Sequence, residues 1–386
     1  MKDRPAGRGL RAIVAALMVG RILHVAETTD GGVGRCLEYY VEHQAAAGRD
    51  VTVAVPRGGP RLERMSSAGA KHLAWEAMPQ PGVHVPREIA RLAEVVRAVA
   101  PDVVHLHSSK AGLAGRLLLR RSRPTVFQPH AWSFLAVTGA TRSATLQWER
   151  LGARWADAII CCSEDERRIG AASRIRPREY RVVIHGLDLD TWPPMDGNAR
   201  EQARGRLRVP PARPLAVCVG RLHRQKRQHA LLDVWPAVRA EVPGARLALV
   251  GDGPDREELA AREVEGVDLV GGTGDVRTWL AAASLVVQPS LWEAGIPLSV
   301  LEALASCRGV VVTDAPGLRD VAGRGVGAVV TLDDARALRD AVVHRLRDPR
   351  KADFEGREGR RLIKDRHDVR TEIKAIDSVY REVVAG

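Results

Sequence analysis

Aromatic residues are scarce in this 386-residue chain, where 8 Trp, 4 Tyr and 3 Phe amount to 4%. So few rings give no stacking platform of the kind on which single-stranded nucleic acid lies. Long apolar runs are missing as well: none approaches the ~20 residues that a membrane-spanning helix needs, which excludes an integral helical membrane protein. Lysine is rare, with seven among 59 basic residues, so that 59 − 7 = 52 are Arg, read mainly as a coding bias toward Arg and Ala. Cysteine is both rare and unpatterned. Cys36, Cys161, Cys162, Cys218 and Cys307 are odd in number, sit in apolar runs and form no C-x-x-C. That fits neither a disulfide framework nor a zinc site and points to a reducing cytoplasm. The 36 Gly and 22 Pro follow no period, and neither a solenoid repeat nor a low-complexity segment is present.

What is there is length, charge and alternation. The formal charge is 59 − 47 = +12, compatible with nucleic acid, an anionic membrane surface or phosphorylated ligands. Without a recognised binding motif, no nucleic-acid partner is expected. The length suggests two domains of roughly 150–200 residues each. The start, MKDRPAGRGLRAIVAALMVG, has the basic-then-apolar order of a signal peptide, but its apolar core is short and RILHVAE already reads as a strand. Residues 1–17 are therefore expected to be a disordered extension, with Met18 the true start.

From residue 21, short β-branched runs alternate with helical segments, the signature of parallel sheets covered on both faces. The expected strands are 21–26, 51–55, 102–107, 125–128, 157–162 and 181–184, then 215–219, 246–250, 267–270, 284–288 and 309–312. Between two of them Ile89, Leu92, Val96 and Val99 recur at helical spacing. Pro193, Pro194, Gly197, Pro210, Pro211 and Pro214 frame a boundary. The prediction is an α/β chain of two doubly wound, Rossmann-like domains, 18–195 and 196–365, facing across a cleft at the carboxyl ends of their strands. Residues 366–386 follow as a terminal helix.

The most informative segment is PSLWEAGIPLSVLEALA, residues 289–305. A buried strand ends at Pro289, a loop carries Glu293 and Gly295, and Pro297 opens a helix through Glu302. Backbone N–H groups at a helix start bind anions, and two carboxylates beside them accept hydroxyl hydrogen bonds. A phosphate next to a sugar would satisfy both. The segment resembles the paired-glutamate signature of the family 4 retaining GT-B glycosyltransferases, also called group 1 glycosyl transferases, in their polysaccharide-building branch. The resemblance implies that Glu293 contacts the donor sugar, Glu302 the ribose, and Gly295 and Ile296 the phosphates. The family has seven residues between the glutamates and this chain eight, the extra one lying between Glu293 and Pro297.

Further matches span most of the chain. GRLHRQKR, residues 220–227, resembles the family's basic pair, so Arg221 and Lys226 are expected to neutralise the departing diphosphate. LVGDGP, residues 249–254, implies a backbone role for Gly251, and VGGTGDV, residues 270–276, implies main-chain contacts from Val270 and Gly271 to the base. TTDGGVGR, residues 28–35, resembles the family's glycine loop, giving Gly31 and Gly32 a place near the donor phosphate or the acceptor. FQPHAWSF, residues 127–134, places His130 where relatives touch the donor sugar. In VVIHGLDLDTW, residues 182–192, the family's N-G-I-D turn carries His185 for Asn. Its D-x-D, Asp188 and Asp190, would hold a metal in another glycosyltransferase class but reads here as a turn.

The resemblance implies a retaining hexosyltransferase that needs no metal and no cofactor beyond its nucleotide-sugar substrate, UDP-linked by default and GDP-linked next. The terminal helix is expected to return to the first domain. The segment HLHSSKAGLAGRLLLRRSRP, residues 105–124, has Lys110, Arg116, Arg120, Arg121 and Arg123 among apolar residues. It reads either as a basic helix on anionic lipid or as a core helix with solvated arginines. The first reading suits a lipid-linked or polysaccharide acceptor and a cytoplasmic protein peripheral at the inner membrane face. A soluble natural-product acceptor, or a nucleotide-sugar 2-epimerase of the same architecture, is the alternative.

Overall fold

The computed structural model describes residues 19–78, 82–195, 197–319 and 325–386; the expectations for residues 1–17 lie outside them. The chain forms two compact units, one running to Ile184 and completed by Thr371–Gly386, the other comprising His185–Arg370.

The first unit alternates β1 (Arg21–Ala26), α1 (Gly31–Ala46), β2 (Asp50–Val55), α2 (Pro60–Ser67), β3 (Lys71–Ala74), α3 (Val85–Val99), β4 (Val103–His107), α4 (Ser108–Leu119), β5 (Thr125–Gln128), α5 (Gly139–Gly152), β6 (Ala158–Cys161), α6 (Glu164–Ala172) and β7 (Tyr180–Val182). Its seven strands are parallel in the order β3-β2-β1-β4-β5-β6-β7. Central β4, VVHLH, is buried along its whole length, as a strand covered on both faces must be. On α3, Leu92 and Val96 are buried, with Ile89 and Val99 packed beside them, the face that their spacing predicts.

The second unit repeats the plan with α7 (Gly197–Arg206), β8 (Leu215–Val219), α8 (Gln228–Glu241), β9 (Arg246–Val250), α9 (Arg256–Ala260), β10 (Val267–Gly271), α10 (Val276–Ala282), β11 (Leu285–Gln288), α11 (Leu298–Ala305), β12 (Val310–Thr313), β13 (Gly327–Val330), α12 (Ala335–Arg347) and α13 (Pro349–Arg366). Its parallel order is β10-β9-β8-β11-β12-β13. The last helix, α14 (Val369–Ala385), adds Tyr380 and Glu372 to the first unit. Tyr380 Oη lies 2.7 Å from His105 Nδ1, and Tyr40 donates to Glu372 at 2.6 Å.

Each strand order reverses once, between β1 and β4 in the first unit and between β8 and β11 in the second. Ligands of open α/β sheets bind outside the carboxyl ends of the strands at such reversals, because the flanking loops part there.

The structure departs from or adds to the expectations at three points. The units part between Ile184 and His185, ahead of the expected 195/196. The Leu187 N–H donates to the His367 carbonyl at 2.8 Å and Val369 N–H to Leu187 at 3.3 Å, which ties the outgoing and returning chain together inside the second unit before the prolines are reached. Edge strands β3 and β13, both four residues long and only partly buried, were not foreseen. The basic segment after β4 does not present all its charges to a surface. Lys110 pairs with Glu88 at 3.0 Å and Arg116 with Glu149 at 2.9 Å, both inside the fold, leaving Arg120, Arg121 and Arg123 exposed. No helix among the described residues is long and apolar enough to cross a membrane.

Candidate active site

At the β8/β11 reversal the two following loops meet. The loop after β8 delivers Lys226, and the loop after β11 delivers Glu293. Lys226 Nζ donates to Glu293 Oε1 at 2.6 Å, a charge-assisted bond in the short range. Ser290 Oγ donates to the same oxygen at 2.6 Å and is itself held by Gln288 at 2.8 Å. Gln225 ties the loops together, donating to the Trp292 carbonyl at 2.9 Å while its own carbonyl accepts from Leu291 at 2.8 Å. The carboxylate is thus aimed by four residues, of which sequence reasoning had named only Lys226. The spacing of Ser290 from Glu293, three residues within one loop, was the available signal.

Beyond Glu293 the chain turns against Pro316, whose carbonyl accepts from Glu293 N–H at 3.0 Å. Gly317 makes this possible: a Cβ there would lie 2.8 Å from the Gly295 carbonyl, and its φ of 82° favours glycine. Pro297 then occupies the N-cap of α11, with no side-chain oxygen to cap the helix. The N-terminal amides of α11 therefore face a place where an anion is stabilised by the helix dipole. Ile296 is buried and Gly295 sits beside it; Glu302 lies buried in the body of α11. Arg221 is exposed, its carbonyl held by Gln228 at 2.9 Å.

Gly251 and Gly253 have a packing reason. A Cβ on Gly251 would fall 2.0 Å from the Gly220 carbonyl oxygen, and one on Gly253 would fall 2.2 Å from that of Leu222. The turn after β9 thus lies directly against the turn carrying Arg221. Gly251 also donates to the Gly271 carbonyl at 2.9 Å, linking the turns after β9 and β10, beside half-buried Val270. Gly251→Ala is expected to cost at least ~2 kcal/mol by overpacking against backbone, read as a fall of several degrees in Tm; an unchanged Tm would refute the packing argument.

In the first unit Gly31, with φ of 62°, and Gly32 open α1, and a Cβ on either meets nothing within 4 Å. The steric demand falls on Gly34 instead, where a Cβ would sit 1.8 Å from the Thr29 carbonyl. His130 follows β5 in a left-handed conformation (φ 52°), and so does Ala131 (φ 98°). Two successive non-glycine residues of this kind cost about 1–2 kcal/mol each, and buried Glu166 holds them by accepting from Ala131 N–H at 2.8 Å and Cys162 N–H at 2.6 Å. Asp188 accepts from Asp190 N–H at 3.0 Å, and Asp190 pairs with Arg370, so the D-x-D forms the expected turn.

Comparison with known proteins identifies the family. Residues 31–186 match the family described as glycosyl transferase 4-like domain, and residues 213–348 match glycosyl transferases group 1. The chain is 30% identical over 321 residues to the alpha-maltose-1-phosphate synthase of Mycobacterium tuberculosis, covering 75% of this chain and 81% of that one. It belongs to the group 1 glycosyl transferases. This glycosyltransferase is also 24% identical to the UDP-Gal:alpha-D-GlcNAc-diphosphoundecaprenol alpha-1,3-galactosyltransferase of Escherichia coli, over 78% of its own length and 80% of the relative's. Among solved structures, Anabaena HepE in complex with UDP-glucose superposes with a TM-score of 0.80 at 20% identity, covering 92% of this chain and 98% of HepE. Sucrose-phosphate synthase from Thermosynechococcus elongatus gives 0.80 at 21% identity, covering 94% and 98%. The fold is that of the GT-B enzymes.

One more feature of the glycosyltransferase escaped sequence reasoning. Glu27, just past β1, accepts from Ser108 Oγ and, at 3.4 Å, from Ala111 N–H. The N-terminus of α4 is thereby filled by a carboxylate of the chain itself, whose pKa burial raises. The reversal point of the first unit is filled by its own carboxyl group, whereas that of the second leaves its helix start uncapped.

Proposed function

We propose that this glycosyltransferase is a retaining, metal-independent hexosyltransferase that takes a UDP-sugar and passes the sugar to a hydroxyl group of a lipid-linked or polysaccharide precursor. The observation carrying the reading is the Lys226–Glu293 pair at the β8/β11 reversal, beside the uncapped start of α11. The printed names of the relatives support the donor and acceptor classes: the Escherichia coli enzyme moves galactose from UDP to a diphosphoundecaprenol-linked sugar.

The chemistry follows from the charges. The bond between the sugar C1 and the β-phosphate oxygen breaks, and its electron pair stays on the phosphate. Lys226, Arg221 and the amides at Gly295 and Ile296 stabilise that developing charge, where preorganised donors accelerate most. The acceptor oxygen bonds to C1 on the face the diphosphate leaves, and the departing phosphate takes the acceptor proton. Glu293 orients the sugar and Glu302 the ribose hydroxyls. Val270 and Gly271 offer main-chain groups to the base, and Gly251 holds their turn. His130 on the donor sugar and Gly31 and Gly32 at the donor phosphate or acceptor complete the proposal.

A thermal-shift series with UDP, GDP, ADP and their hexoses tests the donor. At a hundred times Kd a ligand adds about 2.7 kcal/mol, or roughly 5–10 °C for a unit of this size. Stabilisation by UDP species that disappears in Glu302→Ala is the expected result, with transfer unaffected by a chelator and an α-linked product from an α-linked donor. No shift with any nucleotide at millimolar concentration would overturn the donor site. Conversion of the nucleotide sugar without any acceptor would identify the epimerase instead.

A further inference from the structure

Three histidines meet in the core of the first unit, none of them used in the chemistry above. His24 stands on β1, and His105 and His107 on the paired β4; all three are 0% exposed. Their facing nitrogens lie within 4.8 Å of one another, so the first question is whether they hold a metal or share protons. His24 Nδ1 and His107 Nε2 are 2.9 Å apart. Two imidazole ligands of a tetrahedral ion, each 2.0–2.1 Å from it, would stand about 3.3 Å apart, whereas 2.9 Å is the ordinary length of a hydrogen bond. One proton lies between these rings.

The bonds continue at both ends. His24 Nε2 lies 2.8 Å from Gln44 Oε1, and His107 Nδ1 lies 3.1 Å from His130 Nε2. His130 Nδ1 faces Cys162 Sγ at 3.9 Å, the long end of the range for sulfur. Burial lowers the pKa of His24 to about 4 and that of His107 well below the usual value, so each of these rings carries a single proton. Their direction follows from the ends. The amide oxygen of Gln44 only accepts, so the proton of His24 is on Nε2 and its Nδ1 accepts from His107 Nε2–H. His107 Nδ1 then accepts, and the proton of His130 is on Nε2. At the far end Cys162 Sγ already accepts from Gln128 Nε2 at 3.4 Å, leaving the thiol proton to go to His130 Nδ1. The chain reads Cys162→His130→His107→His24→Gln44, one donor meeting one acceptor at each link.

The geometry points to His107 and His24 as positioning residues for His130: through the chain ending at Gln44 they fix its ring orientation and its Nε2–H tautomer. The inference rests on the reading of His130 as a donor-sugar contact, and it restricts that reading. With Nε2–H turned inward, the remaining lone pair is on Nδ1, held only by the 3.9 Å thiol contact; a sugar hydroxyl that displaces that contact donates to Nδ1, and the ring donates nothing to the sugar. His130 then acts as a hydrogen-bond acceptor that orients the sugar. The strained turn at His130 and Ala131, clamped by Glu166, fixes the backbone, and the buried relay fixes the ring.

The test perturbs the remote end. Gln44 is two rings away from His130, and Gln44→Leu removes the terminal acceptor at similar volume. Nitrogen NMR of protein labelled at histidine reads each tautomer directly. The expected result is an unprotonated Nδ1 and a protonated Nε2 at His130 in the wild type, shifting to a tautomer mixture in Gln44→Leu. Transfer should then show kcat lowered roughly tenfold with the KM for the nucleotide sugar unchanged. Gln44→Glu, which keeps an acceptor at this place, should retain the wild-type signature; it is the control for a fold that Leu fails to support. A protonated Nδ1 in the wild type, a His130 signal indifferent to Gln44→Leu, or one equivalent of tightly bound metal in the purified protein would overturn the relay. If the signature changes as expected while His130→Ala transfers sugar normally, the relay stands and the donor-contact reading of His130 falls instead.

Discussion

Lys226→Ala is expected to lower kcat for sugar transfer by about 10²–10³-fold, the usual loss when one preorganised donor to a developing negative charge is removed. Stability falls too, because Glu293 is left largely buried beside Ser290 with its cation gone. A carboxylate in that position is costly unless something neutralises it. The two effects separate in the double variant Lys226→Met with Glu293→Gln, which removes both charges and keeps the volumes. Its Tm should return toward the wild-type value while kcat stays low. If Lys226→Ala kept kcat within tenfold of wild type, the pair would be a structural tie between two loops, and the charge needed by the leaving group would have to come from Arg221 and the α11 amides alone.

Arg116→Ala should destabilise the first unit by about 3–5 kcal/mol, the range found when one member of a buried ion pair is deleted. Arg116 is wholly enclosed; its Nη2 lies 2.9 Å from Glu149, its Nε donates to the Gly112 carbonyl at 2.7 Å, and its guanidinium lies 3.9 Å above the Phe127 ring. The loss should appear as a fall in Tm of roughly 10 °C. Arg116→Met with Glu149→Leu should recover most of it, since apolar residues of similar volume replace a buried pair without leaving an unpaired charge. A Tm within 3 °C of wild type for Arg116→Ala would mean that water reaches Glu149 after all.

The same arginine shows where sequence reading stopped. Charge and helical spacing are visible in residues 105–124, but the partners that bury Lys110 and Arg116, Glu88 and Glu149, come from α3 and α5. Nothing local announces them. Strands 21–26, 125–128, 215–219 and 246–250 coincide with β1, β5, β8 and β9 because buried parallel strands are continuous apolar runs bounded by turns. Edge strands β3 and β13 lack that signal, since only part of each is covered. Lys226 and Glu293, singled out by resemblance to the group 1 glycosyl transferases, are brought together by the loops after β8 and β11. The cluster of three histidines was half legible: His105 and His107, two apart on a strand, must share a face. That His24 completes the set depends on the register that places it opposite His105.

The tie at Leu187, between the chain leaving the first unit and the chain coming back to it, bears on how the protein is made. On the ribosome the whole second unit emerges before residues 371–386 do, yet the first unit depends on those last residues. His105 and Tyr40 sit in its interior with partners, Tyr380 and Glu372, that are synthesised after the whole second unit. Until then the earliest-made sheet carries polar groups that its final packing would leave unsatisfied. The nascent first unit must wait, partly open, for the completion of a unit that begins after it. A chain truncated after Arg370 and released should therefore have a first unit that is cut readily by protease, while the second unit, whose residues are all present, is resistant.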